Sequence, residues 1–361
     1  MVLPIKQLNT EEMKPNQKLA SAGIEWCTLS FLCSILSLTA QTLPLNQIRY
    51  WAYQIQGVDS SGAVNRLAGS KYDMIVMEPT RTDWSSGPNP FNTAAAIAKI
   101  KASKAHDGKH SKLVLAYLDI GEAESWRWYW TWSKNWSTPR PIDWPAYITA
   151  PDPDGWSDNY PVLFWDPAWK DIVLYGRNTP ATANRNFVSI VDEVLLDGFD
   201  GVYLDWVEAF SDPKVIAAAN SAGIDPAVAM ISFINEIRAY GRARNPNFVV
   251  IQQNAPDLIL GHPELLQAID AIAQESIWYQ GSSDVAWSNS HGYDTPQSKT
   301  YTKHLLNWLT QYQNGGKPIF DIEYSLAFAP VSCTNSLSRK FVPYCSRTAL
   351  SQLTTTPPPG Y

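Results

Sequence analysis

Seven carboxylates in this sequence stand at or just past the ends of short apolar runs: Glu78, Asp119, Glu122, Asp166, Asp205, Glu275 and Glu323. Two carboxylates in one site, one kept protonated by its surroundings and one ionised, are what hydrolysis of an acetal requires. The clearest run is Gly198-Phe199-Asp200-Gly201-Val202-Tyr203-Leu204-Asp205, a glycine turn leading into an apolar stretch that stops on an acid. A continuous apolar run marks a strand buried on both faces. An acid at its carboxyl end sits where α/β barrels place their reacting groups. Asp205 would equally serve as a helix cap or an acceptor for loop amides. For Asp119, Glu122 and Asp166, a structural hydrogen bond stands beside contact with a substrate. A ring of acids also suits a metal, but the five histidines (106, 110, 262, 291 and 304) fall in loops and helices away from the run ends, which disfavours one. Neither a Gly-x-Ser-x-Gly elbow nor a phosphate-binding glycine loop with Lys is present. What remains is carboxylate chemistry among aromatics, and it points to glycoside hydrolysis without metal or other cofactor.

The elements that would carry these acids form a regular series. Apolar, β-prone runs occur at 49–55, 72–79, 113–122, 162–167, 198–205, 248–254, 269–275 and 318–324. Helical spacing appears between them at 91–105, 187–196, 225–240 and 300–313, with Asp225-Pro226 as cap and first turn. Eight strands alternating mostly with helices predict an α/β fold, a (β/α)8 TIM-type barrel in one domain over 46–328. No glycine-rich phosphate loop follows the first strand, which favours closure over an open sheet. Segment 123–160 is a long insertion with tryptophan at 126, 128, 130, 132, 136, 144 and 156. It reads either as a wall for substrate or as a self-packed aromatic minicore.

The flanks read differently. Residues 1–45 are expected to be an N-terminal extension. Its apolar run from Trp26 to Ala40 resembles a signal-peptide h-region, or a membrane anchor, and predicts a secreted, cell-surface or periplasmic protein. Residues 329–361 read as a tail lying over the surface. Cys333 and Cys345 there would form a disulfide in an oxidising compartment or remain two thiols. The 361 residues are 45% hydrophobic, ample for a core, while only 17% are charged, with a formal net charge of −6. With no basic patch or tail, nucleic acid is not an expected partner. The 16 Trp and 17 Tyr supply flat apolar faces that suit sugar rings and cores alike.

Five motifs occur in a fixed order: Trp51-Ala52-Tyr53-Gln54, Leu115 to Glu124 (LAYLDIGEAE), Trp165-Asp166-Pro167-Ala168-Trp169, Gly198 to Asp205, and Gln253-Asn254. Together they resemble glycoside hydrolase family 114, the endo-α-1,4-polygalactosaminidase-like barrels, over essentially the whole expected barrel. The resemblance implies endo cleavage of an α-1,4-linked, galactosamine-containing polysaccharide; the alternatives are hydrolysis of another exopolysaccharide and a barrel that binds carbohydrate without cleaving it. It also implies Asp205 as nucleophile and Glu275 as acid/base in a retaining mechanism. An acidic cleft against a cationic amino-sugar polymer is physically coherent. Asp119, Glu122, Asp166 and Asn254 are candidate polar contacts; Trp51, Tyr117, Trp206, Trp278 and Tyr279 are candidate stacking platforms. The sequence departs from the family pattern at Glu78-Pro79, where Asp-Tyr is common, at Asp119, which replaces a Ser, and in its longer Trp-rich insertion. These departures bear on substrate specificity more than on reaction type.

Overall fold

Every residue of the strand Leu113–Asp119 is buried, as expected for an interior parallel strand. It is the third of eight in one sheet, seen in a computed structural model that describes residues 41–79, 91–179, 185–282, 285–289 and 291–361. The strands run in the order β1 (Trp51–Gln54), β2 (Met74–Met77), β3 (Leu113–Asp119), β4 (Gly201–Asp205), β5 (Val249–Gln253), β6 (Ala271–Glu275), β7 (Ile319–Glu323) and β8 (Val342–Cys345). All seven pairings are parallel. The Trp51 indole on β1 donates to the Val342 carbonyl on β8 at 2.9 Å, which brings the sheet's two edges together into a nearly closed barrel. The apolar run expected to be a signal or anchor lies outside the described residues.

Helices cover the outside of the strands. They include α1 (Ala63–Gly69), α2 (Thr93–Ala102), α3 (Ile190–Asp197), α4 (Pro213–Ala222), α5 (Pro226–Arg242), α6 (Leu265–Ala268), α7 (Lys299–Asn314) and α8 (Ala329–Ser338). The start of α5 follows from its sequence. The Asp225 carboxylate accepts from the N–H groups of Ala227 and Val228, and Pro226 takes the position where no N–H is needed. The helix buries Met230, Phe233, Ile234 and Ile237, the stripe its spacing predicts. No single helix among the described residues is long and apolar enough to cross a membrane.

The structure corrects the strand count twice. The run at 162–167 is not a barrel strand: Val162 forms an isolated bridge to Ile148, and Asp166 caps the short helix Pro167–Lys170. Val162 and Phe164 are apolar because they are buried beside the Trp-rich insertion. The eighth strand instead lies in the expected surface tail, so the barrel continues past residue 328 to Cys345. Pro343 hides this strand in the sequence, because proline cannot donate to a ladder. It is tolerated here because β8 pairs only with β7, on one side. Cys333 on α8 and Cys345 on β8 are brought to an Sγ–Sγ separation of 3.7 Å, buried, as free thiols and not as a disulfide.

Candidate active site

Strand register places the acids. Asp119 ends β3 beside Asp205, which ends β4, and Glu275 ends β6 beside Ile322 of β7. All three carboxylates line one cavity of about 600 Å³ at this rim. Among the described residues its lining also includes Asp59, Glu78, Glu122, Glu124, Asp154 and Glu208, with no Lys, Arg or His. Arg127 stands behind this lining, ion-paired with Glu78 and Glu124.

Asp205 is held at both oxygens. Its Oδ2 accepts from the Tyr117 hydroxyl at 2.5 Å, and its Oδ1 from the Trp206 N–H at 2.8 Å. Trp206 adopts φ 54°, in the left-handed region that non-glycine residues rarely occupy. Its carbonyl oxygen leaves no room beside Gly121, where an added Cβ would sit 2.1 Å away. The glycine of the Gly-Glu-Ala-Glu motif is thus what lets the loop after β3 pass the residue following Asp205.

Glu275 has a matching cradle. The Tyr324 hydroxyl donates to Oε1 and Asn254 Nδ2 donates to Oε2 at 2.8 Å. Asn254 is fixed in turn, its Oδ1 accepting from the Glu275 N–H at 3.1 Å and from Gln274 Nε2 at 3.0 Å. Asn254, Ala255 and Ser276 all have positive φ, like Trp206. Left-handed non-glycine residues at the ends of β4, β5 and β6 mark a rim where backbone strain is concentrated, a common feature of functional sites.

The electrostatics favour proton retention. Burial, then the nearby Glu275 charge, pushes Asp205 up to about 7, against the pull of its hydrogen bonds from Tyr117 and Trp206. Burial raises Glu122 to about 9 and lifts Asp119 and Glu208 well above the usual carboxylate range. Burial also holds the Tyr117 and Tyr324 hydroxyls above the usual tyrosine range, so both remain donors at neutral pH. With its pKa pushed up toward neutrality, Asp205 can keep its proton where an ordinary carboxylate is ionised. Among the described residues, no group of three or more His, Cys, Asp or Glu is arranged to hold a metal ion.

The expected contacts divide. Asp119, Glu122, Asn254, Tyr117 and Trp206 line the cavity with Asp205 and Glu275. Tyr117 reaches Asp205 through its hydroxyl, so it acts as a hydrogen-bond donor and not as a stacking face. Trp51 is fully buried between strands and offers no face to a ligand. Asp166 caps the short helix, its Oδ1 accepting from the Ala168 N–H at 2.8 Å, away from the cavity. Trp278 and Tyr279 line a separate groove of about 540 Å³. Their N–H groups donate to Glu323 at 2.9 and 2.8 Å, which fixes that acid as a buried loop anchor. Tyr279 stacks on Phe328 at 4.5 Å.

The sequence reading missed Tyr53, Glu124, Glu208 and Tyr324 in the cavity lining. Tyr324 directly follows the strand-end acid Glu323 and Glu208 stands three residues past Asp205, a signal that was available. The insertion divides between a minicore and the wall of the cavity. Trp130, Trp136 and Trp144 pack with Tyr160 into an aromatic minicore. Trp126 and Trp156 face the cavity instead, and Trp156 is 54% exposed.

Comparison with known proteins gives the same picture. Residues 40–358 match the profile of Glycoside-hydrolase family GH114. An uncharacterized protein of Deinococcus radiodurans is 27% identical over 86% of this chain and 83% of its own. Another, from Methanocaldococcus jannaschii, is 27% identical over 84% of this chain and 77% of its own. Among solved structures, the glycoside hydrolase domain of PelA from Pseudomonas aeruginosa aligns with a TM-score of 0.55 at 16% identity, over 85% of this chain and 97% of that domain. Aspergillus fumigatus Ega3, solved in complex with galactosamine, aligns with a TM-score of 0.54 at 15% identity, over 87% of this chain and 98% of its own. At these identities the two structures speak for the fold.

Proposed function

The chain belongs to glycoside-hydrolase family GH114 and is a glycosidase, and from that premise we propose that it cleaves α-1,4-linked, galactosamine-containing polysaccharide in endo fashion, through Asp205 and Glu275. The observation that carries this reading is the pairing of the two acids. They end barrel strands β4 and β6, which flank β5, on one cavity, each held at both oxygens by hydrogen-bond donors and, among the described residues, neither paired with a cation. A lining of nine carboxylates without a basic side chain among the described residues suits a cationic polymer. The galactosamine bound to the structurally similar Ega3 supports the same sugar. Endo action and retention rest on the motif resemblance. An extracellular polymer as substrate fits export directed by the apolar run before residue 41.

In a retaining reaction one carboxylate attacks the anomeric carbon while the other, protonated, donates to the leaving oxygen. Water then hydrolyses the glycosyl ester with the second residue acting as base. The resemblance makes Asp205 the nucleophile and Glu275 the donor. One observation favours the reverse order: Asp205 is pushed up to about 7, which suits a group that starts protonated. Proton NMR of the first-formed products, with azide added to Asp205→Asn and Glu275→Gln, tests both points. Retained anomeric configuration of the parent's products supports retention, and the variant rescued to a glycosyl azide of inverted configuration has lost the nucleophile, the one rescued to a retained azide the acid/base. Inverted products from the unmodified protein would sink the retaining mechanism.

A further inference from the structure

Trp278 and Tyr279, expected as stacking platforms, stand outside the cleft, in the groove of about 540 Å³ between α7 and α8. Both are fixed from behind. Their backbone N–H groups donate to Glu323, the Trp278 indole donates to Ser336 Oγ at 2.7 Å, and the Tyr279 ring lies within 10° of parallel to Phe328. Rings held this way lose little freedom when they meet a ligand. The charge around them is one-sided. Lys299 and Lys303 on α7 and Arg339 just after α8 line the groove and are exposed, and no Asp or Glu lines it among the described residues. Elsewhere Lys101, Lys170, Arg238 and Arg242 are ion-paired with carboxylates, whereas among the described residues no carboxylate stands within ion-pair distance of the three groove cations. Arg339 lies over the Trp278 ring at 5.7 Å. Lys299 and Lys303, four residues apart on one helix, repel each other. On a chain of formal net charge −6, this unmatched positive groove is a feature that an anion completes.

We propose that this groove is a non-catalytic binding site for an acidic polysaccharide, a chain of uronate-type sugars. Such a sugar offers a flat C–H face to a fixed aromatic ring, and its carboxylate offers a charged acceptor to Lys and Arg. Both features of the groove are then used. A neutral sugar leaves the three cations unmatched. An acidic peptide brings the charge without the ring face. A galactosamine polymer is repelled by like charge, so the groove does not continue the cleft. The two sites take opposite charges: nine carboxylates in the cleft suit a cationic chain, and three cations in the groove suit an anionic one. A protein held on an acidic chain through the groove keeps its cleft free. The groove's chemistry is independent of which polymer the cleft cuts.

The test is calorimetric titration of the unmodified protein with an α-1,4-linked galacturonic acid hexamer, its methyl ester and a hexaglutamate peptide. The acid hexamer should bind at least about tenfold more tightly than the ester or the peptide, and its affinity should fall as salt is added. Lys303→Gln/Arg339→Gln should weaken that binding by about tenfold or more, and Lys299→Gln/Lys303→Gln should do the same. All three side chains are exposed, so melting temperatures should stay in place, and either variant serves if the other does not fold. No binding of the acid hexamer, equal binding of its ester, or undiminished binding by a folded variant overturns the proposal. Peptide binding as tight as that of the acid hexamer overturns it as well, and assigns the groove to an acidic protein.

Discussion

Tyr117 and Asp205 stand on adjacent barrel strands, and the tyrosine hydroxyl donates to Asp205 Oδ2 at 2.5 Å. This bond lowers the proton affinity of Asp205, while burial and Glu275 raise it. Tyr117→Phe should therefore raise the Asp205 pKa further. Whichever limb of the pH–rate profile Asp205 controls should move to higher pH: the acid limb if it reacts as an anion, the alkaline limb if it reacts as a proton donor. The lost hydrogen bond to a charged group, about 1.5–3 kcal/mol, predicts a fall in kcat/KM of roughly ten- to hundredfold. A profile with both limbs unmoved would refute the coupling.

The two readings of the Trp-rich insertion separate by mutation. Trp156→Ala removes a 54% exposed ring on the cavity. It should raise KM for long oligosaccharides several-fold, leave kcat nearly unchanged and leave the melting temperature in place. Trp144 is 3% exposed, donates from its indole to the Ser133 carbonyl at 2.8 Å and packs on Trp130 and Tyr160. Trp144→Ala should destabilise by about 3–5 kcal/mol, read by denaturant unfolding. If both variants lose stability alike, Trp156 belongs to the minicore.

Stability should fall as pH rises. Glu122 is raised to about 9 and Asp205 to about 7 in the folded protein, against roughly 4 in an unfolded chain. Between those limits the folded state binds more protons than the unfolded state, so the slope of unfolding free energy against pH is negative. The contribution is fully present below about pH 4 and lost as pH passes through the folded values. Glu122→Gln removes one such group. Relative to the unmodified protein, its melting temperature should rise from pH 5 to pH 9, by roughly 2–4 °C per kcal/mol recovered. A constant difference across that range would contradict the assignment.

The parts legible in the sequence were those written in unbroken local patterns. The apolar runs through Leu118-Asp119 and Leu204-Asp205 announce buried strands ending on acids, and both are barrel strands. Asp225-Pro226 announces the start of α5. What local pattern could not show was partnership. Val162 and Phe164 look like strand residues because they are buried, but they are buried beside the insertion and not in the sheet. Val342–Cys345 carries a proline that masks a strand whose ladder lies on one side only. Trp51 and Trp156 are the same residue type, yet one is sealed between strands and the other stands open on the cavity. That difference is set by packing between segments far apart in sequence.

The central claim is that Asp205 and Glu275 together hydrolyse a galactosamine-containing polymer. Its most direct test is mass spectrometry of products from partially deacetylated α-1,4-galactosaminogalactan, incubated with residues 41–361 and with the Asp205→Asn and Glu275→Gln variants. The account predicts a ladder of oligosaccharides from the unmodified protein and a loss of at least about a thousandfold in rate in each folded variant. Undiminished products from either variant would contradict the pairing. No products from the folded parent would contradict the substrate.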